Sequence, residues 1–218
     1  MEYYHLVTRI PMYKGQIIDF SNGEHNRLYE FWMKREDRTE DGRDTFDILN
    51  EKRTLNDEEH KVLVNYVFCQ SRAVRETITE LVRVNSFSQY PSRLSCLYVC
   101  DTKEKAMKWK QNFESYNRTV LQLVKLKSDA PAFTGDASLL PEVNGDSFDE
   151  KIKQANRYWS GELLGVLEET LLGGKIEEEV NEFLKREDRF FVDIKFNCVP
   201  ANFSEKVVIL LIYKERVE

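Results

Sequence analysis

The sequence predicts an α+β protein that combines a mixed or antiparallel sheet with several helices. Apolar segments of strand length lie at residues 2–10, 94–100 and 119–127. A helical period of apolar residues runs instead from about residue 56 to 83. Because neither a repeat nor a low-complexity linker interrupts the chain, we expect one domain over residues 1–218, with a helical insertion at about 24–90.

The first predicted strand alternates between two faces. His5 and Val7 lie on one face, and Tyr4 and Leu6 lie on the other. Pro11 then ends the segment. The second strand belongs to the sequence SCLYVCDTKEKAMKW, residues 95–109, in which a short apolar run leads into a helix whose expected N-cap is Asp101.

The helical insertion has one clear start signal. Asn56 and Glu59 have the spacing of a capping box, which predicts a helix from there to about residue 83. One continuous helix and two helices with a bend near Gln70 fit the pattern equally well. Helical spacing also marks residues 24–38, whereas the charge-rich stretch 35–53 is expected to be an exposed loop or a frayed helix.

The second half of the chain reads as loop, helix and strands in turn. Residues 128–146 are rich in Pro, Gly, Asp and Ser and predict a loop. Ser147 and Glu150 form a second capping box before a helix that carries Trp159. A further helical stretch is expected over 161–172, and two strands are expected over 189–218.

Composition excludes several functional classes. The formal charge of −6 argues against broad electrostatic binding to nucleic acid or to a membrane surface. No apolar run approaches the roughly 20 residues that cross a bilayer, and the N-terminus lacks a secretory pattern, so we expect a cytoplasmic protein without membrane partners. The four cysteines form no CxxC pair and no zinc-spaced cluster, which predicts reduced, buried thiols and no metal.

Few residues stand out chemically, and each has an ordinary structural interpretation beside the functional one. His5 lies within a strand, where it is either a packed histidine or a hydrogen-bonding contact for a ligand. Trp159 is either a core residue or part of a base-binding pocket. Asp136 follows Gly135 in a predicted loop, where both turn residues and binding residues concentrate.

Three segments together resemble the bacterial ADP-ribosyltransferases, particularly the rifampicin-modifying type. YHLVTRIPMYKGQII has a strand histidine that leads into a glycine, and CLYVCDTKEKAMKW has a strand tyrosine before a capped helix with Ala and Trp. LQLVKLKSDAPAFTGDASLL is similar to the third element, a strand followed by an acidic loop. Related uncharacterised bacterial proteins share PSRL and A-x-x-YW-x-G, so the similar pieces cover roughly residues 2–20 and 90–180.

The resemblance implies an ADP-ribosyltransferase-like fold, NAD as the substrate, and a histidine–tyrosine–acid triad. In this sequence the triad maps onto His5, Tyr98 and Asp136. His5 would hold the adenosine-side ribose, Tyr98 would stack on nicotinamide, and Asp136 would stabilise positive charge on the reacting ribose. Arg93 would pair with the pyrophosphate, and Trp159 would line the base pocket. Asp146, Asp149 and Glu162 are reserve candidates for the acid.

Three hypotheses follow from the sequence. The first is a bacterial, cytoplasmic NAD-binding protein that transfers ADP-ribose to an unknown protein, small-molecule or nucleic-acid acceptor. The second is an inactive descendant that binds a nucleotide or a partner protein. The third is an RNA-directed member of the same fold, which the net negative charge disfavours.

Overall fold

The computed structural model describes residues 1–8, 10–114, 121–143 and 145–183. The predicted strands within 189–218 lie outside these ranges. The helices are α1 (Arg27–Met33), α2 (Thr45–Asn50), α3 (Asp57–Ser86), α4 (Lys103–Glu114) and α5 (Phe148–Trp159). The strands are β1 (Glu2–Val7), β2 (Ile17–Asp19), β3 (Leu97–Val99), β4 (Gln122–Lys127), β5 (Ala132–Asp136), β6 (Glu168–Leu172) and β7 (Lys175–Phe183).

The strands form two antiparallel sheets that meet at one point. The first sheet has the order β1-β4-β7-β2, and the second has the order β3-β6-β5. Tyr4 of β1 and Cys100, just after β3, join the sheets by exchanging two backbone hydrogen bonds of 2.8 Å. The expected α+β class with antiparallel pairing is therefore confirmed.

Helix α3 is a single helix of 30 residues without a break at Gln70. The predicted capping box is present, because the Asn56 side chain accepts from the Glu59 amide and the Glu59 carboxylate accepts from the Asn56 amide. The charge-rich stretch before it contains a helix that the sequence left open, α2, which Asp44 caps in the same reciprocal way. The idea that residues 24–90 form an insertion stays a prediction.

Two elements differ from the sequence-based expectation. Strand β5 lies inside the predicted loop 128–146, and β6 occupies the end of the predicted helix 161–172. The glycine in β5 favoured a loop prediction, but Gly135 is there for packing. A Cβ at this position would lie 2.8–2.9 Å from the rings of Phe133 and Tyr158. In β6, the pairing with both β3 and β5 outweighs the local helical pattern.

Packing divides the apolar residues among three clusters. The first lies between β3-β6-β5 and helices α3 and α5, and it centres on Phe133, Tyr158 and Trp159. The second lies where the two sheets face each other and contains Tyr3, Val7 and Val99 among others. The third holds α4 against β1 and β4. Each side of the joined sheets therefore has its own core.

An ionic network lies within the first cluster. The Arg93 guanidinium, 4% exposed, donates to Glu76 Oε2 at 2.9 Å, to the Tyr158 hydroxyl at 2.7 Å and to the Glu169 carboxylate. The Tyr158 hydroxyl also donates to Glu169 at 2.7 Å. Although burial alone would lower the pKa of Arg93, the carboxylates of Glu169 and Glu76 hold it well above its ordinary value.

Replacing Arg93 tests how much this network contributes to the stability of the fold. Arg93→Met leaves the buried Glu169 carboxylate without the arginine that binds it and leaves Glu76 paired with Arg75 alone, so we expect the free energy of unfolding to fall by about 3–5 kcal/mol. Urea denaturation followed by circular dichroism measures the change. Arg157→Met, which removes the exposed pair with Glu162, is the control and should leave stability nearly unchanged. Equal effects of the two substitutions would contradict the assigned role of Arg93.

Candidate functional site

The candidate site lies where β1 and β3 separate. Residues two apart in a strand direct their backbone groups to the same side, so the Tyr98 carbonyl points toward β1 as the Cys100 carbonyl does. Beyond the Tyr4–Cys100 pair the ladder stops, and His5 Nδ1 takes over as the partner of the Tyr98 carbonyl oxygen at 2.7 Å. His5 therefore fixes the seam between the two sheets.

The protonation of His5 follows from this contact. A carbonyl oxygen only accepts, so Nδ1 carries the proton and donates. Burial lowers the pKa of His5 below its ordinary value of 6.5, and the bond to the Tyr98 carbonyl opposes this shift only in part. The ring is thus neutral at pH 7, and Nε2 is left as a hydrogen-bond acceptor on a partly buried side chain.

Tyr98 lies on the neighbouring strand, as expected, but its ring occupies the opposite face. Tyr4 and Cys100 are directly opposed and share a face; by alternation His5 lies on the other face, and Tyr98 lies with Cys100. The Tyr98 ring packs on the first cluster, 5.2 Å from Arg93 Cζ, and its hydroxyl donates to the Arg93 carbonyl at 2.7 Å. The expectation that His5 and Tyr98 face one pocket is therefore wrong.

Arg93 and Trp159 also lie on the helix-covered face. The Arg93 side chain is buried and bound to two carboxylates, so in this conformation it is not presented to an external phosphate. Trp159 is fully buried, and its Nε1 donates to the Thr79 carbonyl at 2.8 Å. With Tyr98, these residues form one packed group instead of an open pocket.

Asp136 anchors a loop. Its buried carboxylate accepts from the amides of Leu164, Val166 and Leu167 at 3.0–3.1 Å, and from the amide and hydroxyl of Ser138 at 3.0 and 2.6 Å. Burial alone would raise the pKa of Asp136, but these donors lower it to about 2. Its proposed catalytic role stays a prediction, and the structure gives it a structural role as well.

Strand alternation assigns a second carboxylate, that of Glu168, to the same side of the second sheet as Val99. By alternation from the Tyr4–Cys100 pair, Val99 has its side chain on the same side of the joined sheets as His5, and Val99 is paired with Thr170 of β6. Glu168 lies two residues from Thr170 on that face, directly opposite Asp136 of β5. In the second sheet, β6 is the direct neighbour of β3, the strand that touches β1, and β5 lies beyond β6. Glu168 is thus on the nearer strand.

Glu168 is partly exposed and paired with a lysine. Its carboxylate lies 2.7 Å from Lys105 Nζ, which also contacts Asp101 at 2.8 Å, and the hydrogen bonds to Asp101 and Glu168 raise the pKa of Lys105. The side chain of Glu168 is 17% exposed. A small hollow of about 10 Å³ adjoins it, between Trp109 and the loop that Asp136 anchors. This hollow holds about one water molecule.

The reserve acids lie elsewhere. Glu162 pairs with Arg157 at the surface, Asp146 accepts from Gln154 at 2.8 Å, and Asp149 lies in the first turn of α5. Only register, which a sequence does not display, could have selected Glu168 above these. Burial raises the pKa of Cys96 and of Cys100, so both thiols are poor nucleophiles.

Within the described ranges, no three His, Cys, Asp or Glu side chains converge in a way that would hold a metal ion. None of the described helices combines the length and apolar character needed to cross a bilayer.

The family comparison covers both sheets and the seam. Residues 3–183 match the family model DUF2441, a protein of unknown function. The chain belongs to the DUF2441 family. The matched range of this DUF2441 protein contains His5, Tyr98, Asp136 and Glu168. Among curated proteins, none matches the sequence.

Asp136→Asn tests the anchoring role. The amide cannot accept all five hydrogen bonds, so we expect the free energy of unfolding to fall by about 2–4 kcal/mol at pH 7. Since the folded-state pKa lies below the ordinary 3.8, the stabilisation by Asp136 is complete above that value and is lost as the pH falls toward 2. Urea titrations at pH 7 and pH 3 measure both effects.

The variant should lose stability less steeply than the wild type between those two pH values. Asp149→Asn, on the exposed first turn of α5, is the matched control. An Asp136→Asn protein with wild-type stability at pH 7 would show that the loop does not depend on this carboxylate.

Proposed function

We propose that this DUF2441 protein binds NAD on the sheet face that carries His5 and Glu168, and transfers ADP-ribose to an acceptor. The observation that supports this most is the neutral His5 ring, whose Nε2 is a preset acceptor for a ribose hydroxyl. The sequence resemblance to ADP-ribosyltransferases supports the same ligand. Both lines of support involve the first strand, which the structure places at the seam between the sheets.

The proposed reaction breaks the bond between nicotinamide and ribose. The bonding electron pair leaves with nicotinamide, and positive charge builds on the ribose ring as on the sugar in glycoside hydrolysis. A carboxylate near that charge lowers the barrier. The acceptor then forms the new bond to the ribose and releases a proton.

We assign the charge-stabilising role to Glu168 in preference to Asp136. Glu168 lies on the strand nearer to His5 and is partly exposed, whereas Asp136 is buried and surrounded by donors. Lys105 orients the Glu168 carboxylate by direct contact. Asp136 contributes by holding the loop that leads into β6.

The other residues implied by the resemblance have a positioning role in this proposal. The Tyr98 carbonyl orients His5, and the Tyr98 ring joins that strand to Arg93 and the helix-covered core. Trp159 supports the same core through its bond to Thr79. In this proposal these residues support the fold and do not touch the ligand. Replacing them should therefore lower the free energy of unfolding more than it lowers NAD affinity.

A binding module without transfer is the second candidate. The observation that favours it is that the hollow beside Glu168, about 10 Å³, is too small to hold the reacting nicotinamide and ribose next to this carboxylate. The engagement of Arg93, Tyr98 and Trp159 inside the protein points the same way. In this alternative the face with His5 binds a nucleotide, but nicotinamide is not released.

Glu168→Gln separates the two candidates. If transfer occurs, the charge of Glu168 matters mainly in the transition state, so nicotinamide release should fall about 10²–10³-fold while NAD affinity changes little. Release is measured by chromatography and affinity by calorimetry. Glu162→Gln is the matched control and should keep the wild-type rate.

Three results would decide against parts of this assignment. Wild-type release that is unchanged in Glu168→Gln removes Glu168 from the role. NAD binding without release by the wild type favours the binding module. An absence of NAD binding by the wild type refutes both candidates.

His5→Asn tests the ribose contact. Asparagine Nδ2 occupies the place of His5 Nδ1 and still donates to the Tyr98 carbonyl, but no atom replaces Nε2. We expect NAD to bind about tenfold more weakly, with only a small change in melting temperature. In the wild type, NAD affinity should also fall once the pH drops below the pKa of His5, which burial holds under 6.5, because the ring is then protonated. A pH-independent affinity in the wild type would contradict the assigned contact.

A further inference from the structure

A groove between helices α3 and α5 lies outside the site described above. One wall is α3, with Val74 and Arg75, and the other wall consists of Glu142 and Val143 together with Lys151 of α5. The groove has a volume of about 260 Å³. Pockets for drug-sized ligands measure roughly 300–1,000 Å³, so this groove has the size for a smaller molecule.

Both walls of the groove are held by contacts of their own. The Glu142 amide donates to Gln154 Oε1 at 3.1 Å, and the Glu142 carbonyl accepts from Lys151 Nζ. Helix α5 is in turn joined to α3 by the bond from Trp159 Nε1 to the Thr79 carbonyl. Because the groove is formed before a ligand arrives, binding costs little conformational entropy of the protein.

The two walls carry cationic donors with spare hydrogen-bonding capacity. The Arg75 side chain is 15% exposed, and its Nε and Nη2 donate to Glu76 Oε1 at 3.1 and 2.6 Å. Among the residues that the structure describes, no acceptor is bound to Arg75 Nη1. The Lys151 ammonium has three N–H groups and uses one on the Glu142 carbonyl. A carboxylate in the groove is therefore offered charge-assisted hydrogen bonds by both cations.

The second wall also supplies a carboxylate and an apolar surface. Glu142 is exposed, and its contacts with Gln154 and Lys151 are made by the main chain, so the carboxylate is not needed to hold the wall. The apolar side chains in the groove are Val143 and, from α3, Val74, which is 51% exposed. The groove thus offers both signs of charge together with apolar contacts.

We propose that this groove binds a small zwitterion with an apolar side chain, of the α-amino-acid type. The carboxylate of the ligand binds Arg75 and Lys151, its ammonium binds Glu142, and its side chain contacts Val74 and Val143. A ligand of one charge sign would meet a like charge in one of the walls, and such contacts are unfavourable. A ligand that carries both charges avoids this repulsion.

The exposure of the walls sets the expected affinity. Ion pairs at solvent-exposed positions contribute little, and both Glu142 and Val74 are exposed. We therefore expect a dissociation constant on the order of millimolar. This inference goes beyond the proposed function and does not depend on it, because the groove lies between α3 and α5 and includes neither His5 nor Glu168.

An NMR titration of the full chain tests the proposal, with L-leucine as the probe. The backbone amide signals of Val74, Arg75, Glu142 and Val143 should shift as the concentration of leucine rises. Two analogues each lack one charge. 4-Methylpentanoate, without the ammonium, should bind about fivefold more weakly than leucine. 3-Methylbutylamine, without the carboxylate, should bind about tenfold more weakly.

Two variants assign the charges. Glu142→Gln keeps the main-chain contacts of this residue, so leucine should bind about fivefold more weakly while 4-methylpentanoate binds no more weakly than to the wild type. Arg75→Gln leaves Glu76 paired with Arg93, and it should weaken the binding of both ligands about tenfold with unchanged far-ultraviolet circular dichroism. Glu104→Gln, at an exposed position of α4, is the matched control and should bind leucine as the wild type does.

Three outcomes would overturn the proposal. One is that leucine shifts none of the groove amides at its highest soluble concentration. Another is equal binding of leucine and 4-methylpentanoate to the wild type, since the ammonium would then not be recognised. The third is binding that both Glu142→Gln and Arg75→Gln retain in full, because the ligand would then occupy another surface.

Discussion

Ion pairing by the buried Arg93 guanidinium sets the position of two helices against the second sheet. The guanidinium joins Glu76 of α3 to Glu169 of β6, and the Tyr158 hydroxyl adds α5 to the same group. Burying these charges is costly, and the cost is offset only while all partners stay in place. Helices α3 and α5 are therefore fixed against the second sheet by a contact that tolerates little displacement. The orientation of Tyr98 toward the helices follows from the same group.

The two faces of the joined sheets therefore differ in the groups that pack on them. One face is filled by aromatic rings and the ionic network, so its polar groups bind each other. The other face contains the second apolar cluster, with Val7 and Val99. Beside that cluster the sheets separate next to His5, and the partly exposed Glu168 carboxylate lies at the start of β6, in contact with Lys105 of α4. A ligand is bound by polar groups that do not already have hydrogen-bond partners inside the protein. For that reason the proposed site lies on the second face, although most residues of the sequence resemblance lie on the first.

Local signals in the sequence were sufficient for the elements with strong periodicity. The capping box of Asn56 and the alternation of the first strand predicted α3 and β1 because each signal lies within a few residues. Such local signals do not predict contacts between residues that are far apart in the sequence. Glu76 and Glu169 are 17 and 76 positions from Arg93, and no local pattern connects them. Strands β5 and β6 were missed since their stability comes from each other, and Glu168 became a candidate only when their register was known.

The backbone course of the loop before β6 does not depend on which side chains the loop carries. Asp136 holds this loop through the amides of Leu164, Val166 and Leu167, and it does not touch their side chains by hydrogen bonds. Every amino acid except proline supplies such an amide. The outward side chains of the loop are thus free to diverge during evolution while the main chain keeps its course. A family built in this way can alter what the loop presents to solvent without redesigning the protein beneath it.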